Sequence, residues 1–74
     1  MAGPYALRDD HQGGLMTALA QIRVDRGYTQ RDLAAASGYC LSCICEWERG
    51  SRQPRLSALE DIAQALGVRI AIVP

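Results

Sequence analysis

The sequence has no lysine and no phenylalanine, and its aromatic residues are one tryptophan and three tyrosines. Leu, Ile, Val and Ala must therefore supply the core. All eight basic residues are arginine, and eight acidic residues bring the formal net charge to zero. That balance argues against nucleic-acid binding by bulk electrostatics alone. It leaves room for a local basic stripe, which is what a phosphate meets. Arginine suits phosphates and guanine edges, although a GC-rich coding sequence gives the same bias. No apolar run is long enough to span a membrane. No cationic segment followed by an apolar stretch signals secretion. Three crowded cysteines do not make a secreted disulfide framework. A cytoplasmic setting with reduced thiols is expected. Ser/His/Asp and Cys/His arrangements are lacking, as is a phosphate-cradling glycine loop, so no enzyme and no cofactor are expected. A zinc site needs four ligands. The only histidine, His11, lies near the N-terminus and reads as an idle tail residue, so no metal is expected.

What is there fits one small domain. With 74 residues the core has little surplus stability, and a partner subunit or very regular helix packing would help. Residues 1–14 show no sustained period and read as a flexible arm. From Leu15 the apolar residues Leu15, Leu19 and Ile22 recur at helical spacing, predicting a helix over 15–26. Gly27 offers its stop. Thr29 caps the next helix, Asp32 suits its dipole, and Gly38 ends it. A third helix is predicted over Leu41 to Arg49, anchored by Ile44 and Trp47 and ended by Gly50. A fourth covers about 56–66, with Leu56, Leu59, Ile62, Ala63 and Leu66 on one face. Ser57 and Glu60 have capping-box spacing at its start. Residues 68–74 alternate and read as one β-strand without a partner in this chain. It would pair with another copy, lie against the helices, or belong to a chain cut short.

Two helices joined by a tight turn cross steeply and need a small residue where they touch. Ala34 supplies it. Ile44 and Trp47 then hold the second helix on the core and leave its opposite face for a groove. The stretch Gly27-Tyr28-Thr29-Gln30-Arg31-Asp32-Leu33-Ala34 comes first. Gly38, Ile44, the run Trp47-Glu48-Arg49-Gly50, Arg52, Pro54 and the run Ala65-Leu66-Gly67 follow. On these residues 15–67 resemble the Cro/C1-type (XRE) helix-turn-helix family of phage repressors and bacterial regulators.

The resemblance implies an all-α, compact four-helix, lambda-repressor-like domain, here with a short C-terminal β-strand. It implies that Gln30, with Arg31 beside it, meets phosphate at the start of the second helix. It places Leu41, Ser42, Cys45 and Glu46 on the groove face of the recognition helix. Cys40 stands where the family commonly has a Ser or Thr cap. Arg49 and Arg52 lie where the family contacts the DNA backbone. Arg23 and Glu48 match a pair tying the first helix to the recognition helix. The groove face departs from the family's frequent Gln, Ser, Arg or Asn. Ser42 bonds to several bases, Glu46 accepts from a cytosine amino group, and Leu41 touches a thymine methyl. Tyr39 takes the familiar apolar position after the turn glycine, with its hydroxyl outward.

Cys40, Cys43 and Cys45 crowd the start of the recognition helix. Cys40 and Cys43 have Cys-x-x-Cys spacing, and a helix N-terminus lowers a thiol's pKa. A redox switch is one reading. The plainer one treats free cysteine as a small apolar residue, with Cys43 half-buried against the second helix. Cys45 faces away from Cys43. Trp47 reads as core, not as a base-stacking residue. Arg55 is either a phosphate contact or a solvated residue at a helix start.

The resulting expectation is a sequence-specific regulator of double-stranded DNA, acting as a homodimer through its C-terminal strand. The alternative keeps the fold as a protein-interaction module or an antitoxin that binds a toxin. Zero net charge and the acidic, apolar groove face motivate it.

Overall fold

A computed structural model describes residues 5–6 and 12–71. The described elements are β1 (Tyr5–Ala6), α1 (Gln12–Asp25), α2 (Gln30–Ser37), α3 (Leu41–Arg49), α4 (Leu56–Ala65) and β2 (Ile70–Ala71). Within the expected arm, residues 1–4 and 7–11, His11 among them, lie outside the described residues. So do residues 72–74 of the expected strand.

The four helices surround one apolar core. Leu19, Ile44, Leu59 and Ile62 are fully buried at its centre. Leu15, Met16, Ile22, Leu33, Trp47 and Leu66 close around them. Each fully buried Leu or Ile contributes roughly 1.5–3 kcal/mol relative to an exposed one. Ala34 is half-buried against this core, where a small residue lets α2 and α3 approach. Among the described residues no helix is long and apolar enough to cross a membrane.

Local chemistry sets the helix ends. Thr29 is the N-cap of α2, and its hydroxyl accepts from the Asp32 N–H at 2.9 Å. The Asp32 carboxylate accepts in return from the Thr29 N–H at 2.9 Å, completing a capping box. That backbone bond, then the hydroxyl, holds the Asp32 pKa below its usual value. Gly38 (φ 85°) and Gly50 (φ 86°) stop the chain on either side of α3. Both are left-handed, a conformation that costs other residues strain.

Four expectations are corrected. The first helix begins at Gln12, so Gly13 and Gly14 are its first turn and not the end of an arm. Each glycine costs up to about 1 kcal/mol, less than burying Leu15 and Met16 just behind them yields. The expected capping box of α4 does not form. Arg55 is the N-cap without a side-chain cap bond, and Ser57 is already inside the helix. Leu56 is exposed, because it sits on the first turn ahead of the buried Ala58 and Leu59. The strand does have a partner within the chain. β2 pairs in parallel with β1, Tyr5 opposite Ile70 and Ala6 opposite Ala71. Tyr5 and Ala6 are too few to show an alternation in the sequence.

Candidate nucleic-acid interface

The site begins at the turn Gly38-Tyr39-Cys40. Cys40 is the N-cap of α3, and its sulfur accepts from the Cys43 N–H at 3.4 Å. It thus fills the role of the expected Ser or Thr. Tyr39 is half-buried, with its ring 5.1 Å from that of Trp47 in an edge-to-face arrangement. Its hydroxyl points outward and donates to Asp61 on α4 at 2.7 Å. That bond raises the tyrosine's pKa above its usual value.

Ile44 and Trp47 fix the inner face of α3. On the other side Ser42 and Arg49 are exposed, while Leu41, Cys45 and Glu46 are half-buried. Glu46 meets Arg52 of the following loop at 3.1 Å. This pair is too exposed to contribute much stability. It does offset the acidic charge of Glu46 on this face.

A hydrogen-bonded chain ties this face to the rest of the domain. Arg23 of α1 holds Glu48 of α3 through two bonds, Nε to Oε2 at 2.8 Å and Nη2 to Oε1 at 3.0 Å. Its Nη1 donates to the Tyr28 carbonyl at 2.7 Å. Glu48 Oε1 also accepts from the Gln30 amide nitrogen at 2.9 Å. The Gln30 amide oxygen accepts from the Cys45 thiol at 3.2 Å. The pair expected between α1 and the recognition helix is therefore present, and both ends of Gln30 are engaged with α3. Sequence reasoning missed these Gln30 contacts and the Tyr39–Asp61 bond. They join residues 15 to 22 positions apart, and no periodicity announces such pairs.

The structure thus joins Gln30 to Cys45, Cys40 to Ser42 at 3.2 Å, and Glu46 to Arg52. Arg31 and Arg49 are exposed and make no hydrogen bond to another candidate among the described residues. Cys40 is exposed and its sulfur lies 3.1 Å from that of Cys43. The Ser42 hydroxyl, then the Cys43 thiol and N–H, lower the Cys40 pKa to about 7. Sharing that hydrogen bond with Cys40, and partial burial, raise the pKa of Cys43. No group of metal-ligating side chains lies among the described residues.

Four helices with a glycine turn before an outward-facing α3 define the helix-turn-helix class. A family model described as helix-turn-helix matches residues 19–73, and the chain belongs to the Cro/C1-type branch of that family, the XRE regulators. It is similar to the uncharacterized HTH-type transcriptional regulator y4dJ of Sinorhizobium fredii (strain NBRC 101917 / NGR234). The two are 41% identical over 49 residues, covering 66% of this chain and 64% of y4dJ. A second regulator of the same strain, y4dL, also uncharacterized, is 44% identical over 56 residues, covering 76% of this chain and 29% of y4dL. The chain thus spans under two-thirds of one relative and less than a third of the other. Among solved structures it is similar to the restriction-modification controller protein C.Esp1396I, a tetramer in complex with its natural 35 base-pair operator. There the TM-score is 0.74 and the identity 31%, covering 82% of this chain and 80% of that one.

Proposed function

We propose that this chain is a cytoplasmic, non-enzymatic transcriptional regulator that binds specific sites in double-stranded DNA through α3. The observation that carries this reading is the outer face of α3. It presents Ser42, Glu46 and Arg49 together, on a helix pinned from behind by the Arg23–Glu48–Gln30 chain. In the major groove Ser42 bonds to base edges, Glu46 accepts from a cytosine amino group and Leu41 meets a thymine methyl. Arg49 and Arg52 reach the backbone. Gln30 and Arg31 stand at the N-terminus of α2, where the helix dipole favours phosphate. The operator complex of C.Esp1396I supports the same use of the fold.

Selection of bound sequences from random duplexes tests this reading. An enriched site is expected, with affinity that falls steeply as salt rises. Arg49→Ala should weaken binding to all sequences alike and reduce the salt slope by about 1. Ser42→Ala should weaken the selected site more than random DNA. No enrichment, or binding indifferent to salt, would sink the proposal. It would favour the second reading, an antitoxin or protein-interaction module, which the half-buried Leu41 and the acidic Glu46 on the same face motivate.

The proposal includes a homodimer reading two half-sites about 34 Å apart. One edge of β2 is taken by β1, and its other edge is the candidate for pairing across a two-fold axis. Val68 and Ile70 pack on the core, so this segment is part of the domain and not a detachable tail. Sedimentation of the intact chain should show two copies at micromolar concentration. A monomer there would remove the dimer from the proposal.

A further inference from the structure

We propose that Cys40 and Cys43 are a modification site, a dithiol that peroxides oxidise to an intramolecular disulfide, and that closing it weakens the DNA contact of α3. The second half of this statement rests on the DNA-binding reading above.

Position supplies the first argument. Cys40 is the N-cap and Cys43 the third helical residue, so both side chains sit at one end of the same turn. Their sulfurs are 3.1 Å apart. A disulfide is about 2.05 Å long, so closure asks for roughly an ångström of movement, and the exposed Cys40 side chain is the one able to move. Access supplies the second. Cys40 is exposed and reaches an oxidant in solution, while Cys43 is half-buried behind it as the resolving thiol. Selectivity supplies the third. Cys45 is held by Gln30 at 3.2 Å on the other side of the helix and does not compete. Helix capping alone accounts for one acceptor sulfur, which a serine provides as well. Capping geometry also brings the third helical residue beside the cap, and here both positions carry sulfur.

The Cys40 thiolate attacks one oxygen of hydrogen peroxide. The O–O bond breaks, a sulfenic acid forms on Cys40, and the departing hydroxide takes a proton to leave as water. The Cys43 thiol gives up its proton and attacks the Cys40 sulfur. The S–O bond breaks and a second water leaves. Two thiols and one peroxide become one disulfide and two waters, with two electrons passed from sulfur to oxygen. A thiol reductant reverses the closure. The Ser42 hydroxyl, then the Cys43 thiol and N–H, stabilise the thiolate and bring its pKa to about 7, so the first step accelerates as pH rises through that value.

Closure draws the Cys40 sulfur away from the Ser42 hydroxyl at 3.2 Å and from the N–H that it caps. Both lie at the edge of the proposed DNA face. An affinity loss of about fivefold is expected, on the scale of losing a helix cap at the edge of that face.

The test treats the reduced chain and Cys43→Ser with hydrogen peroxide between pH 5.5 and 8.5. Reactive thiols in the unsubstituted chain should fall from the three present to one, as the Cys40–Cys43 bridge forms. Fragment masses should place the bridge there, with a rate midpoint near pH 7. Cys43→Ser should stop at a Cys40 sulfenic acid that dimedone traps. Three retained thiols, a bridge to Cys45 or a bridge between chains would overturn the site. DNA affinity measured before oxidation, after it and after dithiothreitol tests the coupling. A bridge that leaves affinity unchanged overturns the coupling alone. Failure of the reduced chain to bind DNA counts against the function reading and leaves the chemistry of the pair to the mass data.

Discussion

Glu48→Ala should lower the unfolding free energy by about 3 kcal/mol, the lower end of the range for a buried ion pair that loses one partner, because this pair is part-buried. The Arg23 and Glu48 side chains are only 13% and 9% exposed. Truncating Glu48 strands the Arg23 guanidinium in that setting, with the Tyr28 carbonyl as its remaining acceptor, and takes the Gln30 amide's partner away as well. A domain of this size holds about 4–11 kcal/mol in all, so the loss is a large fraction of the whole. The melting temperature should fall by roughly 12–24 °C. Replacing both partners with apolar residues should cost less than the sum of the single changes, because no charge is left behind. Urea titration of the four proteins reads this directly. A Glu48→Ala loss under about 0.5 kcal/mol, in the range of a neutral surface change, would mean that the pair does not hold α3 in place.

Trp47→Ala should be of similar size, about 3–5 kcal/mol, since it empties a large buried volume. It also removes the edge-to-face contact with Tyr39, a geometry worth roughly 0.5–1.5 kcal/mol beyond buried area. Tyr39→Phe separates the two contributions. It keeps the ring against Trp47 and deletes only the exposed bond to Asp61. That change should cost no more than about 1 kcal/mol. If Tyr39→Phe destabilised the domain as much as Trp47→Ala, the anchor of α3 would be the α4 carboxylate and not the aromatic pair.

These two anchors differ in how far the sequence announced them. Ile44 and Trp47 stand three apart on one helical face, and their burial follows from that spacing. Gly27, Gly38 and Gly50 marked the ends of α1, α2 and α3, because left-handed backbone selects glycine strongly. The Arg23–Glu48 pair came from family resemblance, since nothing local links residues 25 positions apart. The start of α1 is not legible in the sequence, because local propensity penalises Gly13 and Gly14 while the burial that overrides it is tertiary. The partner of β2 was hidden because two residues carry no period. On the candidate binding face, spacing leaves the side of α3 opposite Ile44 and Trp47 free, and the resemblance places Ser42 and Arg49 there. Neither could show that Glu46 is paired with Arg52, nor that Gln30 is already held by Glu48 and Cys45.

The chain of bonds from the Tyr28 carbonyl through Arg23, Glu48 and Gln30 to Cys45 crosses α1, α2 and α3. It leaves the recognition helix little freedom to reorient. A probe so assembled in advance meets its target near its final shape, and little ordering entropy is lost from these helices on association. Calorimetrically, the heat-capacity change of complex formation would then reflect the surface the two partners cover, with no contribution from folding in this part of the protein.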